Sequence, residues 1–489
     1  MTASPASAPG RPAPHDGAPG LRRALKNRHI QMIALGGAIG TGLFFGSAEA
    51  ISLAGPAILL AYPIGGLVIY LVMRALGEMS VEDPHAGAFS HYAYRHWGRR
   101  AGFVSGWNYW FNYVAVSMVE LAVVGAFVNY WLPGVPPWVS AAVVLVLITA
   151  VNLTGVRVFG EVEFWGALVK VAAVLGMIVL GIVVIAAGIP GQDGLIPSVT
   201  HLWDHGGFLP QGLMAQTPDG AWVGLLMALV VVMFSFGGVE LIGMTAGEAE
   251  DPQRSIPRAV NQVVVRVLLF YVLALGVILC VIPWDRITGE TSPFVEIFDS
   301  VGISVAAHLL NLVCLTAVVS VYNSGLYANG RMLYALAHQG NAPAFLGRVN
   351  RRGVPVNGVL ASSAVTVVAV VVVFLWPEFA FQYLMSIALI AGIINWTMVM
   401  LTERRFRRAL TPQARRGLRF PLPGGDVATW AVVVFLSAVV VLMLFSPAYR
   451  VAVFLGPVWL GILLVASTAA GRRARSAASA APATPTPTR

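Results

Sequence analysis

The chain has 489 residues, of which 57% are hydrophobic and only 11% charged. Soluble globular chains carry roughly 25% charged residues, so this one lacks the polar surface a soluble protein of its length needs, and the apolar excess also excludes disorder over most of its length. The net charge of +9 does not point to nucleic acid, because the basic residues sit in short loops between apolar runs, where they set orientation in a membrane.

The first residues, 1–27, are rich in Pro, Ala and Gly, have no apolar core of a signal peptide, and read as a disordered tail. From there the chain alternates long apolar runs with short polar breaks. Runs such as Ala142–Val151 and Ala364–Leu375 show no period-two alternation, so they read as helices and not as strands of a lipid-facing barrel. At about 20 apolar residues per crossing, the breaks give twelve spans: 30–53, 56–77, 101–131, 136–155, 160–188, 221–247, 259–282, 300–336, 356–376, 380–402, 427–446 and 449–470. The eighth is too long to stand upright, so it tilts or projects beyond the bilayer. The expected fold is an all-α membrane protein with about 12 transmembrane helices. The expected organisation is a first five-helix unit at 28–190, a loop at 191–220, a second unit at 221–402, a basic loop at 403–426, two further helices at 427–470 and a disordered tail at 471–489.

Span one contains Gly36-Gly37-Ala38-Ile39-Gly40-Thr41-Gly42, and span six contains Phe234-Ser235-Phe236-Gly237-Gly238-Val239-Glu240. Each glycine weakens a helix by about 1 kcal/mol, so both spans are expected to unwind near mid-membrane. Such backbone must be buried in protein or line a cavity. The two breaks lie five spans apart, which puts the two halves in opposite orientations, as in an inverted repeat with its binding site at the paired breaks. Exposed amides at the start of a half-helix favour a carboxylate. Unwound carbonyls accept from an ammonium. A zwitterion is the ligand this backbone suits.

Of the 31 basic residues two are lysines, Lys26 and Lys170. Lys170 lies within span five among apolar neighbours, and a buried lysine, unlike arginine, can lose its proton. Glu120 in span three and Glu240 just after the span-six break are also expected to be buried, and intramembrane carboxylates are functional candidates. Glu161 and Glu163 read as acidic residues at a helix start. Arg74, Arg266 and Arg331 read as residues that snorkel to the interface. His85, His91 and His96 read as solvated. Cys280 and Cys314 read as small buried hydrophobes. Arginine concentrates in the tail and in alternate loops, with only Arg286 and Arg450 on the opposite side, which places both termini in the cytoplasm.

Further strings narrow the field: Glu248–Pro252 (EAEDP), Ser255–Ala259 (SIPRA), Ser320–Leu333 (SVYNSGLYANGRML), Gln339–Pro343 (QGNAP) and Arg351–Pro355 (RRGVP). With the two glycine-rich breaks, in this order over residues 25–470, they resemble the amino acid transporter family of the amino acid–polyamine–organocation superfamily. Leu202–Pro210 (LWDHGGFLP), together with Ser320–Ser324 and Gln339–Pro343, makes the chain most similar to its aromatic amino acid and phenylalanine permeases, with proline and other neutral amino acid permeases close behind. The resemblance implies a five-plus-five inverted repeat with helices 1 and 6 broken and two helices added, and uptake of a neutral amino acid by proton symport at a bacterial-type cytoplasmic membrane. Carried over by matching position, Gly40, Thr41 and Gly42 hold the substrate carboxylate, and the carbonyls of Ala38, Phe234 and Gly237, flanked by Ser235 and Gly238, take the ammonium. Phe234 is the aromatic gate. Lys170 replaces the sodium ion of sodium-driven relatives, near Ser324, and Glu240 couples occupancy to helix motion. Phe236, Tyr322, Asn323 and Ser324 are candidates for the pocket wall. An exchanger and a sensor that binds without transporting are the alternatives. An enzyme is disfavoured, because the span interiors lack a paired-aspartate or metal-ligand set. No cofactor, metal, nucleic acid or obligate protein partner is implied.

Overall fold

The structure, a computed structural model, describes residues 39–85, 88–154, 156–245, 251–287, 289 and 292–480. Among these, nine helices are long and apolar enough to cross a membrane by length and composition. Two shorter apolar helices, Pro137–Asn152 and Leu225–Phe234, supply spans four and the first half of six. The protein is a multi-pass helical membrane protein.

The expected span-six break is present, and the described part of span one is bent at Ile39–Gly40. Span one enters as Thr41–Phe44, breaks at Phe45 (φ −120°, ψ −50°) and resumes as Gly46–Ala54. Span six is Leu225–Phe234, then a non-helical stretch, then Leu241–Thr245. Within that stretch Gly238 sits at φ +94°, a conformation that disfavours any side chain. Gly36, Gly37 and Ala38 lie outside the described residues. A third irregularity was not expected. Span seven runs as Pro252–Arg266, a π-helical stretch Val267–Leu273, and Ala274–Val281.

The remaining spans are Ile58–Glu82, Arg99–Asn129, Val156–Ala187, Ser304–His338, Val356–Leu375, Ala380–Ala409, Gly425–Met443 and Pro447–Ala480. Span eight, with 35 residues, is about 52 Å long at 1.5 Å per residue, against a hydrocarbon core of about 30 Å. Two expectations fail at boundaries. Residues 403–409 continue span ten as helix, and residues 471–480 continue span twelve instead of starting a disordered tail. Arginine and alanine are good helix formers, so neither charge nor low complexity stopped these helices. The tail at 1–27 lies outside the described residues.

Burial separates centre from rim. The apolar window of span ten is 72% buried and that of span three 67%, whereas spans eleven and twelve are 33% and 22% buried. The centre is fastened by amides: Asn108 donates to the Ala391 carbonyl (2.9 Å) and to Asn395 (2.8 Å), and Asn112 donates to the Ala388 carbonyl (2.7 Å). These bonds tie span three to span ten where no water competes.

At the arginine-rich end, Arg407 lies between two buried carboxylates, 2.8 Å from Glu78 and 2.8 Å from Glu403. Glu78 also accepts the Leu422 amide, which clips the 418–424 loop beneath span two. Removing the shared cation leaves two buried carboxylates facing each other, and breaking a buried pair costs roughly 3–5 kcal/mol. Arg407→Met is therefore expected to lower the thermal midpoint by several degrees. Adding Glu403→Gln is expected to recover part of that loss in the same unfolding assay.

The histidines of the loop after span two are not simply solvated. His91 bonds Asp83 at 3.0 Å and stacks on His85 at 3.7 Å, and Arg95 reaches the same carboxylate at 2.5 Å. The His91 bond, aided by Arg95, holds the Asp83 carboxyl down at about 2. No group of three metal-ligating side chains occurs among the described residues.

Candidate functional site

The two breaks meet. Ser235 in span six donates its hydroxyl to the Gly42 carbonyl of span one at 2.7 Å. A Cβ on Gly42 would lie 2.5 Å from the Ser235 Cα, so only glycine permits this approach. Behind the contact, Tyr271 donates to the Ser235 carbonyl at 3.0 Å. Tyr271 belongs to the π-helical stretch, and a π-bulge re-aims side chains at functional positions.

A small central cavity of about 20 Å³ lies between the breaks, room for roughly one water. Its wall comprises Gly40, Thr41 and Gly42 from span one, Tyr113, Val116 and Glu120 from span three, Phe234, Ser235, Gly237, Gly238 and Leu241 from span six, and Val321 from span eight. An amino acid enters only if these walls part. Towards the side opposite the arginine-rich loops lies a larger vestibule of about 600 Å³, with Phe45, Glu49, Tyr130, Phe381 and Gln382 in its wall. Phe381 packs edge-on against both Phe45 (5.1 Å) and Phe234 (6.4 Å). Phe234 thus stands between vestibule and cavity.

Most of the expected backbone residues are therefore together, with one change of role. The Thr41 hydroxyl donates to Glu120 at 2.5 Å and the Thr41 amide bonds the same carboxylate, so Thr41 is committed to Glu120 by side chain and main chain alike. The Phe234 carbonyl already accepts the Gly237 amide at 2.9 Å, leaving one lone pair. Ala38 lies outside the described residues.

The expected pocket candidates do not line the cavity. Phe236 is fully buried against Tyr62 (6.0 Å) and Tyr271 (5.3 Å). Asn323 accepts from Asn152 of span four at 2.8 Å, and Tyr322 is buried beside Thr149 and Ser363 of spans four and nine. Ser324 is buried, and its hydroxyl has no hydrogen-bond partner among the described residues. Span eight presents Val321 instead, and a Cβ on Gly325 would meet the Ser117 hydroxyl at 2.9 Å.

Lys170 is fully buried, with Glu163 and Glu120 as the carboxylates in its electrostatic reach. Glu163, read from sequence as an acidic residue at a helix start, is fully buried and accepts the Ser320 hydroxyl at 2.9 Å. The signal for it was available. Glu163 and Lys170 are seven residues apart, two turns on one helix face. The same spacing links Tyr113 to Glu120, both in the cavity wall. Glu240 is not among the lining residues; it is buried beside Trp396 of span ten and the lining residue Tyr113, with Arg266 of span seven in Coulombic reach. Arg266 is 1% exposed and Arg331 8% exposed, so neither snorkels. Arg331 lies over the Tyr327 ring at 3.2 Å. Arg74 stays near the surface, 3.7 Å over the Phe420 ring.

The amino acid permease family profile matches residues 29–479. The aromatic amino acid transport protein AroP of Escherichia coli K12 is 52% identical over 443 residues, covering 91% of this chain and 94% of that protein. Its counterpart in Salmonella typhimurium LT2 is 51% identical over 446 residues with the same coverage. An uncharacterized amino acid permease of Bacillus subtilis, YtnA, is 43% identical over 460 residues, covering 94% of this chain and 97% of that one. Among solved structures, the Eremococcus coleocola manganese transporter bound to an aromatic bis-isothiourea compound aligns with a TM-score of 0.56 at 13% identity, covering 91% of this chain and 94% of that one. At that identity the likeness concerns the fold alone, and it agrees with paired five-helix units broken at helices 1 and 6 plus two further helices. From its glycine-rich breaks to its full-length relatives, the chain belongs to the amino acid permease family.

Proposed function

We propose that the protein imports an aromatic L-amino acid together with protons, by alternating access around the cavity between the two breaks, with the arginine-rich loops in the cytoplasm. The observation that carries the substrate class is the 52% identity to proteins named for aromatic amino acid transport. The cavity wall supports it. Val116, Leu241 and Val321 are apolar, Tyr113 and Phe234 are aromatic, and Glu120 is the one ionisable carboxylate among the lining residues.

In this reading the amides of Gly40 and Gly42 hold the carboxylate, joined by that of Thr41 when Glu120 releases it, and the carbonyls at Phe234 and Gly237 take the ammonium. Side-chain specificity falls to the apolar wall. Glu120, Lys170 and Glu163 form an ionisable line from the cavity wall through span five to Ser320 of span eight, and this line carries the coupled proton. Glu240 acts behind the span-six break, linking its movement to Arg266 of span seven. No covalent step is required.

The test is uptake into liposomes of phenylalanine with and without an inward proton gradient, in sodium-free buffer. Accumulation above equilibrium, competed by tyrosine and tryptophan, is the expected result. Competition by proline or small neutral amino acids alone would change the substrate class. Uptake that requires preloaded amino acid would establish exchange in place of symport.

A further inference from the structure

Away from the transport path, spans three, ten, eleven and twelve enclose an apolar groove of about 550 Å³. Its floor runs along span ten from Ile390 to Leu401, with Val440 of span eleven and Leu464 of span twelve on the far wall. Eleven residues of helix rise about 16 Å. One leaflet of hydrocarbon is about half of 30 Å. The groove is thus one acyl chain long, and it runs from mid-membrane to the arginine-rich surface.

Its mouth is basic. Arg100 and Trp97 line it, and the Arg405 guanidinium lies 4.0 Å over the Trp97 ring. Both arginines are exposed. Among the described residues neither has a carboxylate partner. Their neighbours do: Arg404 and Arg408 share Asp426 at 3.4 and 3.6 Å, and Arg407 takes Glu78 and Glu403. Two uncompensated guanidiniums at headgroup depth, above an apolar channel, match a phosphate carrying acyl chains.

We propose that this groove holds one acyl chain of an anionic phospholipid, with the phosphate between Arg100 and Arg405. The occupant supplies the packing that span twelve, only 22% buried, does not obtain from protein. It rests against the same stretch of spans three and ten that the Asn108–Asn395 bonds hold together, with Trp459 of span twelve donating to Asn108 at 3.2 Å.

The test is thermal unfolding of the full-length protein in detergent, titrated separately with dioleoylphosphatidylglycerol, dioleoylphosphatidylcholine and glycerol 3-phosphate. Juxtamembrane arginines contribute enough each that the anionic lipid is expected to bind about thirty-fold more tightly than the zwitterionic one. The exposed double variant Arg100→Gln/Arg405→Gln is expected to remove that preference. Thr397→Phe, which fills the groove, is expected to weaken both lipids. Equal affinity for the two lipids, a preference that survives the double variant, or a full response to glycerol 3-phosphate would overturn the proposal. So would efficient cross-linking between two Thr397→Cys chains, which would put a second copy in the groove.

Discussion

Lys170→Met is expected to reduce proton-driven accumulation to simple equilibration while leaving amino acid exchange measurable. The residue is fully buried, and the two carboxylates in its reach lie on spans three and five. Glu120 touches the substrate cavity through Thr41, and Glu163 touches span eight through Ser320. A proton moved along this line changes the charge between three spans at once, which is what coupling requires. Methionine keeps the length and the apolar contacts and removes the charge. It also leaves buried carboxylates without their cation, a loss of roughly 3–5 kcal/mol when a buried pair is broken. Stability must therefore be read beside transport. The triple variant that adds Glu120→Gln and Glu163→Gln is expected to regain the unfolding temperature and not the accumulation. If Lys170→Met accumulates phenylalanine with the wild-type pH profile, the lysine is a structural cation and the coupling assignment is wrong.

The parts of this site that were legible in the sequence are those whose chemistry is independent of helix rotation. Glycine runs unwind a span wherever it faces, so the bend at Ile39–Gly40 and the break after Phe234 were readable, whereas the interruption at Phe45 was not. A lysine in an apolar run is buried whichever neighbour it meets, so Lys170 was readable too. Facing was not. Residues 320–333 of span eight are buried on every side and mix polar with apolar side chains, so this stretch gives no amphipathic stripe to orient it. Tyr322 and Asn323 therefore looked as eligible as Val321, yet their polar groups turn to spans four and nine. Glu163 was misplaced for the opposite reason. Its position near a helix start suggested a charge complementing the dipole, and only the seven-residue step to Lys170 indicated a partner within the membrane. The π-helical stretch of span seven has no composition signal. Within it Tyr271 bonds the Ser235 carbonyl, a tertiary contact that the sequence does not announce.

Gly42→Ala is expected to abolish transport while the protein still folds and inserts. The added Cβ would lie 2.5 Å from the Ser235 Cα and 3.0 Å from its Cβ and Oγ. The first of these is backbone, so no rotamer change relieves the clash, and spans one and six must move apart. Overpacking of this kind costs typically about 1–3 kcal/mol, which a protein of this size absorbs at modest loss of stability. The functional loss is larger, because the Ser235–Gly42 bond at 2.7 Å sets the distance between the span-one amides and span-six carbonyls that we propose hold the substrate carboxylate and ammonium, and a displacement of about 1 Å at such a site can cost about a hundredfold in rate. Gly461→Ala is the matched control. That glycine lies within span twelve with nothing within 4 Å of an added Cβ, and alanine favours helix by about 1 kcal/mol. It is expected to transport normally and to unfold at an equal or higher temperature. Phenylalanine uptake at matched surface expression separates the two: if Gly42→Ala retains more than about a tenth of wild-type uptake, the two breaks are not held at the separation that binding needs, and the zwitterion is held by side chains instead.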